Sequence, residues 1–236
     1  MILKDISFPL PQENILFDEV LFELAEQRNG EETLRLWESQ QVFIVLGKIG
    51  KVDEDVYIEE ATKEKIPILR RSSGGGTVVQ GPGCLNFSLI LSKQTHPLLT
   101  DLRKSYQWIL GKITQGFNEV GIKCDVRPIS DMVLLPDEKK FSGNAQRRGK
   151  NFILHHGTIL YNFDLRLIDR YLRMPKEIPI YRRERGHKDF VINLSLRLSK
   201  IKQIISKVFL ASPGQTGITP DENYLHTKLL TSKKYF

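Results

Sequence analysis

The sequence predicts an α+β fold in which a mainly antiparallel sheet is flanked by helices. Three segments, at 14–28, 102–120 and 194–210, carry apolar residues at helical spacing. Short β-branched and aromatic runs between them are typical of strands. The glycine-rich stretch at 70–88 lies between two such runs and not in front of a helix. Long helices set against a largely antiparallel sheet form an α+β domain.

The N-terminal third is predicted to begin with a helix over 14–28 that has Asn14 as its N-cap. Two strands follow, at 34–37 and 42–47, joined by a polar turn. The second strand is apolar throughout, which is typical of a strand buried on both faces. A short helix is predicted around 56–63.

The remaining two thirds of the chain alternate between short strands and helices. The further predicted strands lie at 66–69, 78–79, 85–91, 122–126, 132–135 and 155–161. A short helix is predicted at 165–172, besides the two long ones. Residues 142–145 are predicted to form a turn of small residues, and residues 181–188 an arginine-rich loop.

The sequence predicts a single domain over residues 1–236, with a C-terminal tail from about residue 212. One short helix near 224–230 is predicted within this tail. No low-complexity linker or internal repeat divides the chain. We therefore expect one domain.

The composition is that of an ordinary globular protein, with 40% hydrophobic and 27% charged residues. No apolar run approaches the about 20 residues that span a bilayer, and the N-terminus lacks the pattern of a signal peptide. We therefore expect a cytoplasmic protein without a membrane partner. A reducing compartment would leave its two cysteines as free thiols.

The net charge of +7 suits an acidic partner. No nucleic-acid-binding module is recognisable, so no nucleic-acid partner is expected.

The stretch from Arg70 to Ser88 reads RRSSGGGTVVQGPGCLNFS. Three consecutive glycines lose a large conformational entropy when they become ordered, so they require a structural or functional reason. Bare backbone N–H groups beside two arginines suit a phosphate or a carboxylate. Because strands flank the glycines, a P-loop and a dinucleotide fingerprint are both disfavoured.

A second pair of motifs follows downstream. Residues 139–148 read KKFSGNAQRR, and residues 155–160 read HHGTIL. Small residues beside Lys140 permit close approach of a ligand, and lysine offers a mobile positive charge. Since side chains alternate along a strand, only one of the two histidines is expected to face a site. We choose His156, because it adjoins Gly157.

Together these motifs resemble the lipoate–protein ligase family, within the wider group of biotin/lipoyl ligases and lipoyl/octanoyl transferases. The stretch RRSSGGGTV at 70–78 resembles the family's RRxSGGGxV motif. KFSGNA at 140–145 resembles its KxSGxA motif, and HHGTIL at 155–160 its HHGTLL motif. The resemblance covers roughly residues 14–200.

The resemblance implies a biotin/lipoyl ligase-like catalytic domain that activates lipoate with ATP and transfers it to a lysine. It implies that Lys140 is the essential lysine of the reaction. The residues implied to contact the nucleotide or adenylate are Arg71, Gly76, Thr77, Val78 and Val79. Those implied to line the acyl tunnel and the adenylate pocket are Gly75, Asn86, Gly143, Ala145, His156 and Gly157.

The resemblance also implies substrates and partners. ATP and lipoate are the implied substrates, with Mg²⁺ accompanying ATP. The implied acceptors are lipoyl domains of 2-oxoacid dehydrogenase complexes or the glycine-cleavage H protein. Ligases of this family usually carry an accessory C-terminal domain, whereas only residues 212–236 of this chain lie beyond the predicted catalytic region, so no separate accessory C-terminal domain is expected. Three alternatives stay open: the protein acts alone, needs a separate accessory subunit, or activates lipoate weakly.

The chain departs from the ligase pattern at residues 80–84. It has QGPGC where the family usually has a histidine and an aspartate, and the Gly-Pro-Gly is closer to an octanoyltransferase pattern. A transferase acting from an acyl carrier protein therefore remains an alternative, and it would need a thiol nucleophile. Cys84 is interpreted instead as a small buried residue.

A non-catalytic protein that binds lipoyl domains is a second alternative. A biotin–protein ligase is disfavoured, because the loop usual in that class is not found at 70–80.

Overall fold

The computed structural model describes residues 1–28, 30–128, 130–214 and 217–232. The strands of these residues are β1 (Ile2–Asp5), β2 (Thr33–Trp37), β3 (Phe43–Leu46), β4 (Ile68–Arg70), β5 (Val78–Gln80), β6 (Cys84–Ser92), β7 (Cys124–Arg127), β8 (Asp131–Leu134), β9 (Lys139–Arg148), β10 (Phe152–Leu160) and β11 (Ser212–Pro213). The α-helices are α1 (Pro11–Arg28), α2 (Val52–Asp55), α3 (Ile58–Lys63), α4 (Leu102–Asn118), α5 (Arg166–Tyr171), α6 (His187–Phe190), α7 (Leu198–Val208) and α8 (Pro220–Ser232). Single 3₁₀ turns cover Pro97–Thr100 and Ile180–Arg182.

The strands form a large sheet and a small sheet. The large sheet has the order β11-β1-β2-β6-β10-β9-β8-β7, and the small sheet has the order β4-β3-β5. In the large sheet β1 pairs in parallel with β2 and β11, and the other neighbouring strands are antiparallel. The predicted α+β fold with a mainly antiparallel sheet is therefore confirmed.

The two faces of the large sheet carry different layers. On one face α4 and α7 pack onto alternate residues of β6, such as Phe87 and Leu89. On the other face α1 packs onto Ile90 of the same strand. The small sheet has its own apolar cluster, which includes Cys84 from the beginning of β6. The small sheet and α1 therefore lie on the same side of the large sheet, since residues 84 and 90 point to one face.

The first predicted helix begins earlier than expected. It starts at Pro11, so Asn14 lies inside the helix and the prediction of Asn14 as N-cap is wrong. The Asn14 amide instead donates to the carbonyl of Phe8 and accepts from its N–H, at 2.8 and 2.9 Å. Proline is favoured in the first turn of a helix, where its missing N–H costs nothing.

The strands predicted at 34–37 and 42–47 are confirmed, but they belong to different sheets. The turn predicted at residues 142–145 is wrong, because these residues lie within β9. Gly143 and Ala145 pair with Thr158 and His156 of β10. Tertiary pairing with a long neighbouring strand thus overrides the local turn preference of small residues.

The C-terminal segment packs against the N-terminal part of the chain. Its helix, α8, is longer than the predicted helix at 224–230. The buried Lys4 ammonium pairs with Glu222 at 3.0 Å, and the His226 ring contacts the carbonyl of Glu13 at 2.9 Å. Residues 233–236 of the predicted tail lie outside the described residues. Within the described ranges, no helix combines the length and apolar character needed to cross a membrane.

Candidate active site

The glycine loop, defined here as residues 71–77, connects β4 to β5. Both strands flank β3, so the loop leaves and re-enters the small sheet on either side of one strand. This confirms that the glycines lie between strands. The loop reaches across to the large sheet, because a Cβ added to Gly75 would lie 3.6 Å from the Cβ of Ala145.

Arg71 organises the glycine loop from within. Its guanidinium donates to the carbonyls of Gly74 and Gly76, at 2.7 and 2.8 Å, and to the Ser73 hydroxyl at 3.1 Å. Burial lowers the pKa of Arg71 to about 10, so the side chain keeps its charge at neutral pH. Arg70 similarly donates to the carbonyl of Gly47, at 2.9 Å. Arg71 therefore binds carbonyls of the glycine loop, Arg70 binds a carbonyl of the turn that follows β3, and both bring positive charge to the glycine loop.

The three consecutive glycines have different surroundings. Gly75 has a φ of +86°, which disfavours any residue with a side chain, and its carbonyl lies 2.0 Å from where a Cβ on Gly47 would be. At Gly74 and Gly76 an added Cβ would have no neighbouring atom within 4 Å. Protein packing therefore explains Gly75 and Gly47, and it does not explain Gly74 or Gly76.

The two adjacent histidines point in opposite directions, as predicted for a strand. His156 faces the glycine loop, and its Nε2 lies 2.6 Å from the Ser73 hydroxyl. Burial lowers the pKa of His156 to about 3, and the nearby Arg71 charge acts in the same direction, so the ring is neutral. His155 is fully buried on the opposite face of the sheet, where Gln146 donates to its Nδ1 at 3.1 Å.

Lys140 lies at the beginning of β9, and its ammonium is 2.8 Å from the Asp131 carboxylate. Its side chain extends over Gly143, where an added Cβ would be 2.9 Å from Nζ. Gly143 and Ala145 share one face of β9, so Lys140 lies on the same face as the residue that contacts the glycine loop. The structure thus brings Lys140, Gly143, Ala145, His156 and the glycine loop to one region.

Two polar contacts involve further predicted site residues. The Thr77 hydroxyl donates to Asp55 at 2.6 Å. The Gln80 amide donates to the Thr158 hydroxyl at 2.6 Å, and Thr158 donates to the Asn86 side chain at 2.7 Å. This relay links the small sheet to the large sheet, at the position where the chain departs from the ligase pattern.

Two predicted site residues, Val79 and Gly157, pack against the core and not against the glycine loop. The side chain of Val79 is buried in the core of the small sheet, whereas its neighbour Val78 is 36% exposed. A Cβ added to Gly157 would collide with Asn144 at 1.9 Å and with the Phe87 ring at 2.6 Å. Gly157 is therefore required for packing against the opposite face.

A cleft of about 480 Å³ lies beside the glycine loop. Ser72 of the loop and Arg147 of β9 line it, facing α1 and α8. The other lining residues are Glu19, Glu23, Gln27, Lys48, Leu225, Lys228, Leu229 and Ser232. Sequence analysis missed the contribution of α8, because its apolar residues do not form a clear stripe along one face.

Both cysteines of the sequence are buried and free. Burial raises the pKa of Cys84 far above its usual range, and it raises the pKa of Cys124 to about 12. Neither thiol is therefore ionised at neutral pH. This confirms the interpretation of Cys84 as a small buried residue.

Several arginines of the two basic runs at 147–148 and 182–188 bind groups within the protein. Arg182 is 3% exposed and donates to the Arg185 carbonyl, while Arg185 donates to the carbonyls of Asp137 and Tyr181. Arg147 pairs with Glu23. These contacts stabilise the loops around the candidate site, which leaves fewer charges to steer an acidic partner.

The chain is similar in sequence to known proteins. The family model described as "Lipoyl protein ligase A/B catalytic domain" matches residues 10–210. A protein of Mycoplasma pneumoniae named "Probable lipoate-protein ligase A" is 30% identical over 169 residues, which cover 71% of this chain and 47% of that protein. The chain thus spans about half the length of this relative. The octanoyltransferase LipM of Brevibacillus brevis is 23% identical over 237 residues, covering 89% of this chain and 85% of that protein.

The fold is also found among solved structures. A bi-partite lipoate protein ligase from Thermoplasma acidophilum, described together with its E2 lipoyl domain, superposes with a TM-score of 0.83. The two chains are 22% identical, and the match covers 98% of this chain and 92% of the other. At this identity the likeness concerns the fold.

Proposed function

The chain belongs to the lipoyl protein ligase A/B catalytic-domain family, and we propose that it is a lipoate–protein ligase. In the proposed reaction a carboxylate oxygen of lipoate attacks the α-phosphorus of ATP and displaces pyrophosphate. A lysine amine of an acceptor lipoyl domain then attacks the acyl carbonyl of lipoyl-AMP. An amide forms, and AMP and a proton are released.

The charges around the glycine loop suit both steps. Negative charge has to be stabilised on the phosphate when pyrophosphate leaves and again when AMP leaves. Lys140 supplies a mobile positive charge, because its side chain is 28% exposed and can move from Asp131 to a ligand. Arg71 supplies a fixed charge behind the loop through its bonds to the Gly74 and Gly76 carbonyls.

The arrangement of β9 suits a path for the acyl chain. Gly143, Ala145 and Arg147 share one face of the strand, with the Lys140 ammonium over Gly143 and the cleft beginning at Arg147. Four residues of a strand span about 13 Å, a distance comparable to the length of a lipoyl chain. We therefore place the reacting carboxylate near Lys140 and the far end of the acyl chain towards the cleft.

The state of the two thiols is the observation that favours a ligase over a transferase. A transferase that passes through an acyl-thioester needs a reactive, accessible thiolate. Cys84 is fully buried and Cys124 is 4% exposed, and burial raises the pKa of both. An acyl group activated as an adenylate requires no protein thiol.

The transferase remains the second candidate, because LipM is among the relatives and because Gly81-Pro82-Gly83 resembles an octanoyltransferase pattern. Replacing both cysteines, as Cys84→Ala with Cys124→Ala, separates the two activities. We expect the variant to keep ATP-dependent transfer of lipoate to an apo lipoyl domain. Loss of transfer in a folded variant, together with transfer from octanoyl-acyl carrier protein without ATP in the original protein, would contradict the ligase proposal.

Mg²⁺ is proposed to enter as the complex with ATP. Across residues 1–28, 30–128, 130–214 and 217–232, no group of three or more His, Cys, Asp or Glu side chains is placed to bind a metal ion. Magnesium commonly binds through substrate phosphates and few carboxylates.

The proposed acceptors are lipoyl domains of 2-oxoacid dehydrogenase complexes or the glycine-cleavage H protein. An accessory subunit is a further proposed partner, since a ligase of this fold is described as bi-partite.

The glycine loop gives a direct test of ligand contact. Gly76→Ala is expected to leave the free energy of unfolding nearly unchanged, because the added Cβ has no neighbour within 4 Å. The rate of adenylate formation is expected to fall about 10-fold or more, since a methyl group would separate the loop backbone from the nucleotide. Pyrophosphate release and urea denaturation measure the two quantities.

The matched control is Gly111→Ala in α4, where an added Cβ also has no neighbour within 4 Å. This substitution is expected to leave adenylate formation unchanged. Full activity in Gly76→Ala would show that the nucleotide does not lie on this part of the loop.

A further inference from the structure

Tyr181 makes a short contact with the carboxylate that holds Lys140. Its hydroxyl donates to Oδ2 of Asp131 at 2.5 Å, while Oδ1 of the same carboxylate lies 2.8 Å from the Lys140 ammonium. Asp131 is 8% exposed, so this carboxylate has little access to water. Hydrogen bonds to a charged group in such surroundings contribute more than neutral ones.

The segment that carries Tyr181 also holds the backbone of Lys140. After the 3₁₀ turn at Ile180–Arg182, the chain returns to β9, and Ile192 donates to the Lys140 carbonyl at 2.9 Å. The Tyr181 ring packs against Phe190 with a centroid distance of 5.4 Å. One segment, residues 180–192, therefore contacts Lys140 directly through the backbone and indirectly through Asp131.

We propose that Tyr181 is a positioning residue for Lys140, acting through Asp131. By occupying Oδ2, the tyrosine leaves a single oxygen for the ammonium and fixes the orientation of the carboxylate. When Lys140 moves to a negatively charged ligand, the Tyr181 hydrogen bond keeps the buried Asp131 carboxylate from being left without a donor. The consequence for catalysis rests on the proposed ligase function, whereas the effect on the lysine itself does not.

Tyr181→Phe removes the hydroxyl and keeps the ring against Phe190. Its kcat for adenylate formation is expected to fall about 10-fold, with little change in the KM values for ATP and lipoate, because the lost bond positions a group and does not bind substrate. In an Asp131→Asn background the same substitution is expected to have almost no further effect. Such non-additivity identifies coupling through Asp131.

Tyr161→Phe is the matched control. Tyr161 also donates to a carboxylate, that of Glu38 at 2.7 Å, but this pair does not include Lys140. The control is expected to keep its kcat. A fall of similar size in both variants, or additive effects of Tyr181→Phe and Asp131→Asn, would overturn the inference.

A second measurement does not depend on ligase activity. Acetic anhydride labels lysine amines, and peptide mass spectrometry gives the labelling rate of Lys140 relative to its neighbour Lys139. Tyr181→Phe is expected to slow Lys140 labelling several-fold, because both oxygens of Asp131 become available to the ammonium. Slower labelling supports the inference even if the protein releases no pyrophosphate, a result that would count against the proposed function alone. Unchanged or faster labelling would overturn the inference.

Discussion

Lys140→Ala is expected to lower the rate of lipoyl-adenylate formation about 10³-fold, an effect typical of losing a group that stabilises transition-state charge. The ammonium over Gly143 is the mobile positive charge on the strand face that contacts the glycine loop. Without it, the negative charge developing on the α-phosphate loses this mobile partner and keeps the fixed charges of the two loop arginines. Pyrophosphate release in the presence of lipoate and ATP measures the effect.

The neighbouring Lys139→Ala is the matched control, because it removes the same charge from the same strand and is expected to keep its activity. Lys140→Arg is not expected to restore the rate, since a planar guanidinium does not replace a compact ammonium. Equal pyrophosphate release by Lys140→Ala and the original protein would favour a non-catalytic protein that binds lipoyl domains.

Arg35→Leu is expected to lower the free energy of unfolding by about 3–5 kcal/mol, the cost of leaving a buried charge without its partner. Arg35 is completely buried, and its guanidinium donates to Asp18 and to the Asn14 carbonyl, each at 2.7 Å. It also donates to the Ile6 carbonyl at 3.1 Å. The guanidinium further contacts the rings of Phe8, Phe17 and Trp37. Urea denaturation followed by circular dichroism gives the change.

Arg166→Leu serves as the control, because Arg166 is 90% exposed and pairs with Asp164 at the surface. A surface pair of this kind contributes about 0–1 kcal/mol. Adding Asp18→Asn to Arg35→Leu is expected to recover part of the loss, because the unpaired carboxylate is then removed. A loss in Arg35→Leu no larger than that of the control would contradict the importance of this buried pair.

The fold and the glycine loop could be predicted because their signals are local. Apolar spacing marks α4 and α7, and the strands around the glycines are marked by β-branched residues. The beginning of α1 was missed because proline and asparagine are both favoured near a helix start, and the sequence does not rank them. The strand at 142–145 was missed because its cause is pairing with β10.

The surroundings of Lys140 could not be predicted from the sequence, because they depend on the register in which neighbouring strands pair. Asp131 reaches Lys140 only because β8 pairs with β9 and the register shifts between Met132 and Val133. Tyr181 arrives from an irregular segment about fifty residues further on, where the sequence shows only an arginine-rich run. The inward orientation of Arg182 and Arg185 likewise depends on the path of that segment.

The measurement that tests the central claim most directly is mass spectrometry of an apo lipoyl domain incubated with the protein and lipoate. The proposed function predicts that one lysine of the acceptor gains one lipoyl group when ATP is present, and none when ATP is omitted. Modification from octanoyl-acyl carrier protein without ATP, with none from lipoate and ATP, would contradict it.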